Sequence, residues 1–217
     1  MKSINTESFK VSKILFGIGS VIFRTRQPFR YSSGNLSPIY TDNRLIISYP
    51  RQRKIIVDLL IARIKKIGIP DAIAGTSTAG IPHAAFIAQK LDLPMVYVRP
   101  EPKSHGKGNQ IEGKITRGQK AIVIEDLVST GRSSLSVVHT LRRAGIRVND
   151  MVAIFTYGFS EADQSFKKNK VKLHVLTDIE SSMDAALEEG YLKEEQVEAI
   201  KKWSEDPKGW GKKMGFE

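Results

Sequence analysis

A chain of 217 residues, 41% of them hydrophobic, is long enough to bury one substantial core, and it has no cysteine, which excludes disulfides, a cysteine nucleophile and thiolate metal sites and fits a cytoplasmic setting. The formal net charge of +11 points to an anionic partner, whether nucleic acid, an anionic membrane surface or a small and heavily anionic substrate. The sequence has no arginine-rich block or aromatic-interleaved basic run, no apolar run in its opening MKSINTESFK and no stretch of membrane-spanning length, so neither nucleic acid nor membrane is expected as a partner.

Taken in chain order, Val11, Ile14, Leu15 and Ile18 fall at helical spacing and predict an amphipathic helix that ends near Gly17 and Gly19. The following PFRYSSGNLSPIYTDNRLIISYP is rich in Gly, Ser and Pro and reads as a turn-rich, hairpin-like hood without helix. From Arg51 onward Ile56, Leu59, Leu60, Ile64 and Ile67 form a helix face, and Asp71 to Ala74 reads as a short buried strand. Alternation then sets in. A helix bearing Ala84, Ile87, Ala88 and Leu91 leads to strands at Met95 to Val98 and Ala121 to Ile124, then to a helix from about Ser133 to Ala144. Strands at Met151 to Phe155 and Val171 to Leu176 flank a polar helix near Ala162 to Lys168, and the tail carries a helix start at SSMD and an amphipathic helix from Glu194 to Trp203. Short apolar strands separated by helices are the pattern of a parallel sheet covered on both faces. The expected fold class is α/β, with a central, mainly parallel sheet flanked by helices. Residues 1–50 are expected to form the N-terminal helix and hood, 51–180 the core, and 181–217 a C-terminal helical appendage within one domain.

The most informative stretch is AIVIEDLVSTGRSS, residues 121–134. A buried strand ends in two acids, a Ser/Thr/Gly loop follows, and a helix begins. In open α/β sheets ligands bind beyond the carboxyl ends of the strands. Gly131 permits a tight turn, Ser129, Thr130 and Ser133 add hydroxyl donors, and the helix starting near Arg132 directs free N–H groups and a positive dipole end toward an anion. That is a phosphate cradle. Glu125 and Asp126 would be badly placed against the phosphate, but they suit the hydroxyls of an attached ribose, which donate hydrogen bonds to carboxylates. The sequence has no Gly-Lys-Ser/Thr phosphate loop, and no strand is followed by a Gly-x-Gly-x-x-Gly pattern, so a phosphoribosyl group is the best match.

IVIEDLVSTGRSS resembles the signature of the type I phosphoribosyltransferases. SPIYTDNRL, GTSTAGIPHA, VYVRPEPKSHGKGNQIEG, AIFTYGF and GYLKEEQVEAIKKW extend the likeness, over nearly the whole chain, to the orotate phosphoribosyltransferase family. The resemblance implies the type I phosphoribosyltransferase fold and transfer of the phosphoribosyl group of 5-phosphoribosyl 1-diphosphate to orotate in UMP biosynthesis. Residues Glu125, Asp126, Leu127, Val128, Ser129, Thr130, Gly131, Arg132 and Ser133 are expected to bind the phosphoribosyl substrate, and Ser129 to touch orotate as well.

The stretch from Arg99 to Gly113 is too long and polar for a simple connection and reads as a lid, with Arg99, Lys103, His105 and Lys107 as cationic heads suited to a diphosphate. In the resembled family this loop closes over the active site, usually that of the neighbouring subunit. A homodimer that shares the lid is therefore expected, with Arg99, Lys103 and His105 on the diphosphate and Lys103, His105 and Asp126 as the candidate catalytic set. Magnesium is expected, held mainly by substrate diphosphate and ribose oxygens, with no dedicated metal ligand from the protein. GTSTAGIP, residues 75–82, is expected to touch the diphosphate through backbone N–H groups and Ser77 or Thr78, because Ala79 stands where some members have Lys. Two orotate contacts depart from the family: Ser32 stands where many members have Lys, and Tyr157 where many have Arg. Arg44 is one candidate for the missing charge. Two other functions fit parts of the pattern. A purine or uracil phosphoribosyltransferase would share the 125–133 loop but not the SPIYTDNRL hood, and a nucleic-acid-binding regulator on the same fold would have no need of Lys103 and His105.

Overall fold

The computed structural model describes residues 6–31, 34–101 and 110–216. Helix α1 (Thr6–Gly17) precedes strands β1 (Val21–Phe23), β2 (Phe29–Arg30), β3 (Leu36–Ser37) and β4 (Ile39–Thr41). Two small antiparallel pairs, β1 with β4 and β2 with β3, make the hood. A 3-10 helix (Asn43–Ser48) then leads into α2 (Pro50–Ile67), in a region expected to contain no helix. Asp42 explains it: its carboxylate accepts the Arg44 N–H at 3.2 Å, a local cap that a periodicity of apolar residues does not reveal.

The core alternates as expected: β5 (Ala72–Thr76), α3 (Gly80–Leu91), β6 (Met95–Val98), β7 (Ile111–Glu112), β8 (Ala121–Val128), α4 (Arg132–Arg143), β9 (Asp150–Thr156), α5 (Ser160–Lys168) and β10 (Lys172–Asp178). These strands form one six-stranded sheet of order β10-β9-β8-β5-β6-β7, parallel except for β7. Residue alternation along β8 sorts its side chains: Ile122 and Ile124 join the core under α2 and α3, while Ala121 and Val123 join the core under α4 and α5. Both faces are covered, as a parallel sheet requires.

Two boundaries differ from the sequence expectation. Strand β8 does not stop at Ile124 but runs to Val128, because its ladder with β9 continues through Glu125 opposite Ala153, Leu127 opposite Phe155 and Val128 opposite Thr156. The stretch read as a lid up to Gly113 ends in a strand, since Ile111 and Glu112 pair antiparallel with Val98 and Tyr97 at the sheet edge.

The tail folds as α6 (Ile179–Glu188), capped by the Asp178 carboxylate on the Ser181 N–H, then α7 (Glu194–Glu205) and α8 (Trp210–Lys213). Trp203 and Trp210 are 2% and 1% exposed and belong to the same hydrophobic cluster as α1 and the hood. Among the described residues no helix is long and apolar enough to cross a membrane.

Candidate active site

The carboxyl ends of β5 and β8 open into a cleft of about 360 Å³ lined by Thr41, Asp42, Arg44, Thr76 to Ala79, Glu125 to Leu127, and Ser133. The two acids of β8 both line it, from opposite sides of the strand. Glu125 is only 4% exposed. One of its oxygens accepts from Ser134 Oγ at 2.8 Å and the other from the Asp126 N–H at 3.2 Å. Asp126 is half-buried, and its backbone carbonyl accepts from Asn43 Nδ2 at 2.7 Å.

Burial, and then the neighbouring Asp126 charge, push the Glu125 carboxyl up to about 8. Burial also raises Asp126. Near neutral pH the pair therefore holds a proton, and Glu125 can donate a hydrogen bond to a ligand hydroxyl as well as accept one.

Beyond β8 the chain turns through Ser129 to Gly131 and enters α4. Gly131 has φ +79, and a Cβ there would lie 2.8 Å from the Phe166 ring, so both backbone conformation and space require glycine. No side chain caps the start of α4, and the first N–H groups of a helix have no carbonyl partner within it, which suits an anion. Leu127 and Ser133 line the cleft, whereas the Val128 side chain is fully buried in the core beneath α4 and contributes only backbone. Arg132 is mostly exposed and pairs with Glu161 at 3.1 Å.

Across the cleft, Thr76 Oγ1 and Ser77 Oγ are buried without a hydrogen-bond partner among the described residues, which fits hydroxyls waiting for a ligand. A Cβ on Gly80 would lie 2.5 Å from the Ile124 carbonyl oxygen, so glycine is needed for α3 to pack against β8. Behind this loop His83 is fully buried, neither ring nitrogen is bonded among the described residues, and burial lowers its pKa to about 4.

A second cavity, of about 410 Å³, adjoins the turn between β8 and α4 at Ser129 and Thr130 and is walled by Tyr31, Tyr157, Phe159 and Trp203 together with the connection between α7 and α8. The Tyr157 hydroxyl meets that of Tyr31 at 3.3 Å, which ties the hood to the end of β9. Burial raises the Tyr157 pKa, so the phenol stays neutral.

Arg44 is gripped by Asp42 through bonds of 2.6 and 2.8 Å, so its charge is already matched. Arg99 lies outside both cavity walls, where its backbone bonds Gln110 and its guanidinium lies 3.6 Å from Glu112. Lys103, His105, Lys107 and Ser32 fall outside the described residues.

The site also depends on residues that sequence reasoning did not single out. Asn43 is 1% exposed, receives Ser20 Oγ at 2.8 Å and holds the Asp126 carbonyl, which fixes the hood to β8. Ser134 does the same for Glu125 from α4. Their only signal was that they lie within TDNRL and STGRSS, respectively.

Comparison with known proteins agrees with this geometry. Residues 48–190 match the model of the phosphoribosyl transferase domain. An orotate phosphoribosyltransferase of Coxiella burnetii is 46% identical over 205 residues, 94% of this chain and 98% of the relative. The chain belongs to the orotate phosphoribosyltransferase family. Another member, from Listeria monocytogenes, is 48% identical over 204 residues, again 94% of this chain and 98% of the relative. The crystal structure of the orotate phosphoribosyltransferase of Aeropyrum pernix superposes with a TM-score of 0.73 at 28% identity, covering 84% of this chain and 99% of that one. The likeness to these orotate phosphoribosyltransferases thus extends beyond the 48–190 core into the hood and tail.

Proposed function

We propose that the chain transfers the 5-phosphoribosyl group from 5-phospho-α-D-ribose 1-diphosphate to orotate, giving orotidine 5'-monophosphate and diphosphate in UMP synthesis. The observation that carries the reading is the acid pair of β8, with Ser133 of the helix that follows, opening on the same cleft as the Thr76 and Ser77 hydroxyls, which have no partner among the described residues. In the reaction the bond from C1 of the ribose to the diphosphate oxygen breaks, its electron pair leaves with the diphosphate, and orotate N1 bonds C1 as its proton is lost. Positive charge grows on the ribose and negative charge on the leaving group, so fixed electrostatics dominate and no side-chain nucleophile is needed. In this reading Glu125 and Asp126 hold the ribose hydroxyls, the turn from Ser129 to Ser133 holds the 5'-phosphate, and residues 76–79 face the diphosphate. The base sits on the hood side near Ser129 and Tyr157.

Among the described residues no group of three or more His, Asp or Glu side chains could cage a metal, while carboxylates and hydroxyls, all hard oxygen donors, line the cleft. Those donors would suit a magnesium ion carried by the substrate diphosphate, which Asp126 and the cleft hydroxyls would face. Such an ion would neutralise the leaving diphosphate. Lys103 and His105, with Arg99 at the root of their loop, are assigned by family resemblance to the same task, in a homodimer of the cytoplasm whose loop serves the neighbouring site.

The deciding measurement is the loss of orotate absorbance with the phosphoribosyl diphosphate and magnesium, run beside adenine, hypoxanthine and uracil. Consumption of orotate alone supports the proposal, and turnover of another base in its place overturns it. Within that assay Lys103→Ala should lower kcat by about 10²- to 10³-fold while leaving nucleotide affinity within a few-fold. Equal losses in both would remove Lys103 from the departing diphosphate.

A further inference from the structure

Five parallel strands put their amino ends on one side of the sheet, opposite the cleft. The connections that enter β8, β9 and β10 there, taken through the first strand residue, carry Arg117 and Lys120, Arg147, and Lys170 and Lys172. They are one surface. Lys120 bridges Arg147, the Arg147 Nε–H donates to the Gly118 carbonyl at 2.8 Å, and the Arg142 guanidinium gathers the carbonyls of Val148, Asn169 and Lys170. The last turns of α2, α4 and α5 add Lys65, Lys66, Arg142, Arg143, Lys167 and Lys168 at the same end.

Helix dipoles account for cations in last turns. They do not account for the five in the connections. Among the described residues none of these eleven forms an ion pair, whereas the nearby acids are engaged or few: Asp71 accepts the Lys120 N–H, Asp150 is bound to His174, and Asp92 and Asp163 remain. A surface of this charge density without ion pairs of its own carries a positive potential that attracts a polyanion.

We propose that this amino-end face docks the phosphate backbone of a nucleic acid duplex. A groove of about 460 Å³, lined by Lys167, Lys170, Lys172 and Asn149 with Asp163 as the one acid, offers a seat for a backbone phosphate in which three cations outweigh one carboxylate. Among the described residues no aromatic ring is exposed at this end for stacking an unpaired base, and Ile69 is the one large apolar side chain exposed there, too little to enter a bilayer. A duplex, read through its phosphates, matches both facts. The linear sequence shows no basic block because the fold collects these cations from four separate segments.

The test is fluorescence anisotropy with a short labelled RNA duplex at several salt concentrations, on the full chain and on Arg147→Ala/Lys170→Ala/Lys172→Ala. The intact protein should bind with a steep salt dependence. The triple variant should bind at least about tenfold more weakly at low salt, with the slope of log K against log salt reduced by about 3, roughly 0.9 for each phosphate that is no longer neutralised. Its turnover should be unchanged, which shows that it is folded. A matched control, Lys193→Ala/Lys202→Ala/Lys212→Ala on the tail, should keep the full slope. Absence of duplex binding, equal weakening by both triple variants, or binding to phosphatidylglycerol vesicles in place of the duplex would each overturn the proposal.

Discussion

At the carboxyl end of the sheet, β8 delivers a buried and a half-buried acid with raised pKa values, a turn whose Gly131 packs under the Phe166 ring, and, across the cleft, hydroxyls with no partner among the described residues. At the amino end the same strands begin in cations whose backbones are bonded into the neighbouring connections: Arg147 to Gln119 and Ala121, Lys172 to Asn149, and Lys120 to Asp71. The difference follows from parallel topology. Every helix that leads from one strand to the next starts above the cleft and ends beneath the sheet, so N–H groups and positive dipole ends collect at the first end, carbonyls and negative dipole ends at the second. Polar groups left unsatisfied at the first end are a cost to folding that a ligand relieves, whereas charges at the second end are solvated and cost little. The same substitution chemistry should therefore have large effects above the sheet and small ones below it.

Gly131→Ala should have the largest effect. A side chain there is strained at φ +79 by about 1–2 kcal/mol and meets the buried Phe166 ring, so the turn must shift. A displacement of about 1 Å in groups that position a substrate costs about hundredfold in rate, and kcat/KM for the phosphoribosyl diphosphate should fall by that order. Steady-state kinetics that return the parent KM for that substrate would take the turn out of the site.

Asn43→Ala comes next. It leaves the Asp126 carbonyl without its buried donor, while Ser20 Oγ keeps the Asp42 carbonyl at 3.0 Å, a loss of about 1–3 kcal/mol in denaturant unfolding. Because it frees the hood from β8, KM for orotate should rise more than KM for the phosphoribosyl substrate. An equal rise in both would make Asn43 a fold residue only.

Such links explain where sequence reading stopped. The β8 turn and α4 lie in one unbroken stretch, so their order, their glycine and their acids could be read directly. The true end of β8 could not, since Glu125 and Asp126 interrupt the apolar run while the backbone ladder to β9 continues beneath them. Asn43 meets Asp126 across 83 residues and Ser12 meets Ser182 across 170, and no periodicity records a pairing of that length. Trp203 and Trp210 belong to the same class, being core residues contributed by a tail that its polar composition presented as an appendage.

Glu125→Gln should change the pH dependence of stability more than stability itself. The folded-state pKa of about 8 lies above the ordinary value of 4.5, so the fold favours the protonated form. The stabilisation is complete below about pH 4.5 and is lost as pH rises toward 8, because the unfolded chain ionises first. Tm of the parent should fall across that window, and the variant, which cannot ionise, should fall less. Identical slopes in thermal scans from pH 5 to 8 would mean that Glu125 is ionised in the fold and that the acid pair carries no proton.

The smallest effect is expected at the other end. Lys170→Glu/Lys172→Glu removes two exposed cations from a surface of like charge, and neither has an ion pair to lose among the described residues. Stability should change by less than about 0.5 kcal/mol, and toward greater stability at low salt, because self-repulsion is relieved. Lys167→Ala and Lys168→Ala, by contrast, lie in the last turn of α5 and should lower stability by about 0.3–1 kcal/mol through weaker interaction with the helix carbonyl end. Measured in low and high salt, the two pairs should move in opposite directions and converge as the salt rises, since both effects are screened. If the Lys170 and Lys172 pair destabilised the fold as the helix-end pair does, these cations would be part of the scaffold, and the division of labour between the two ends of the sheet would fail at its lower edge.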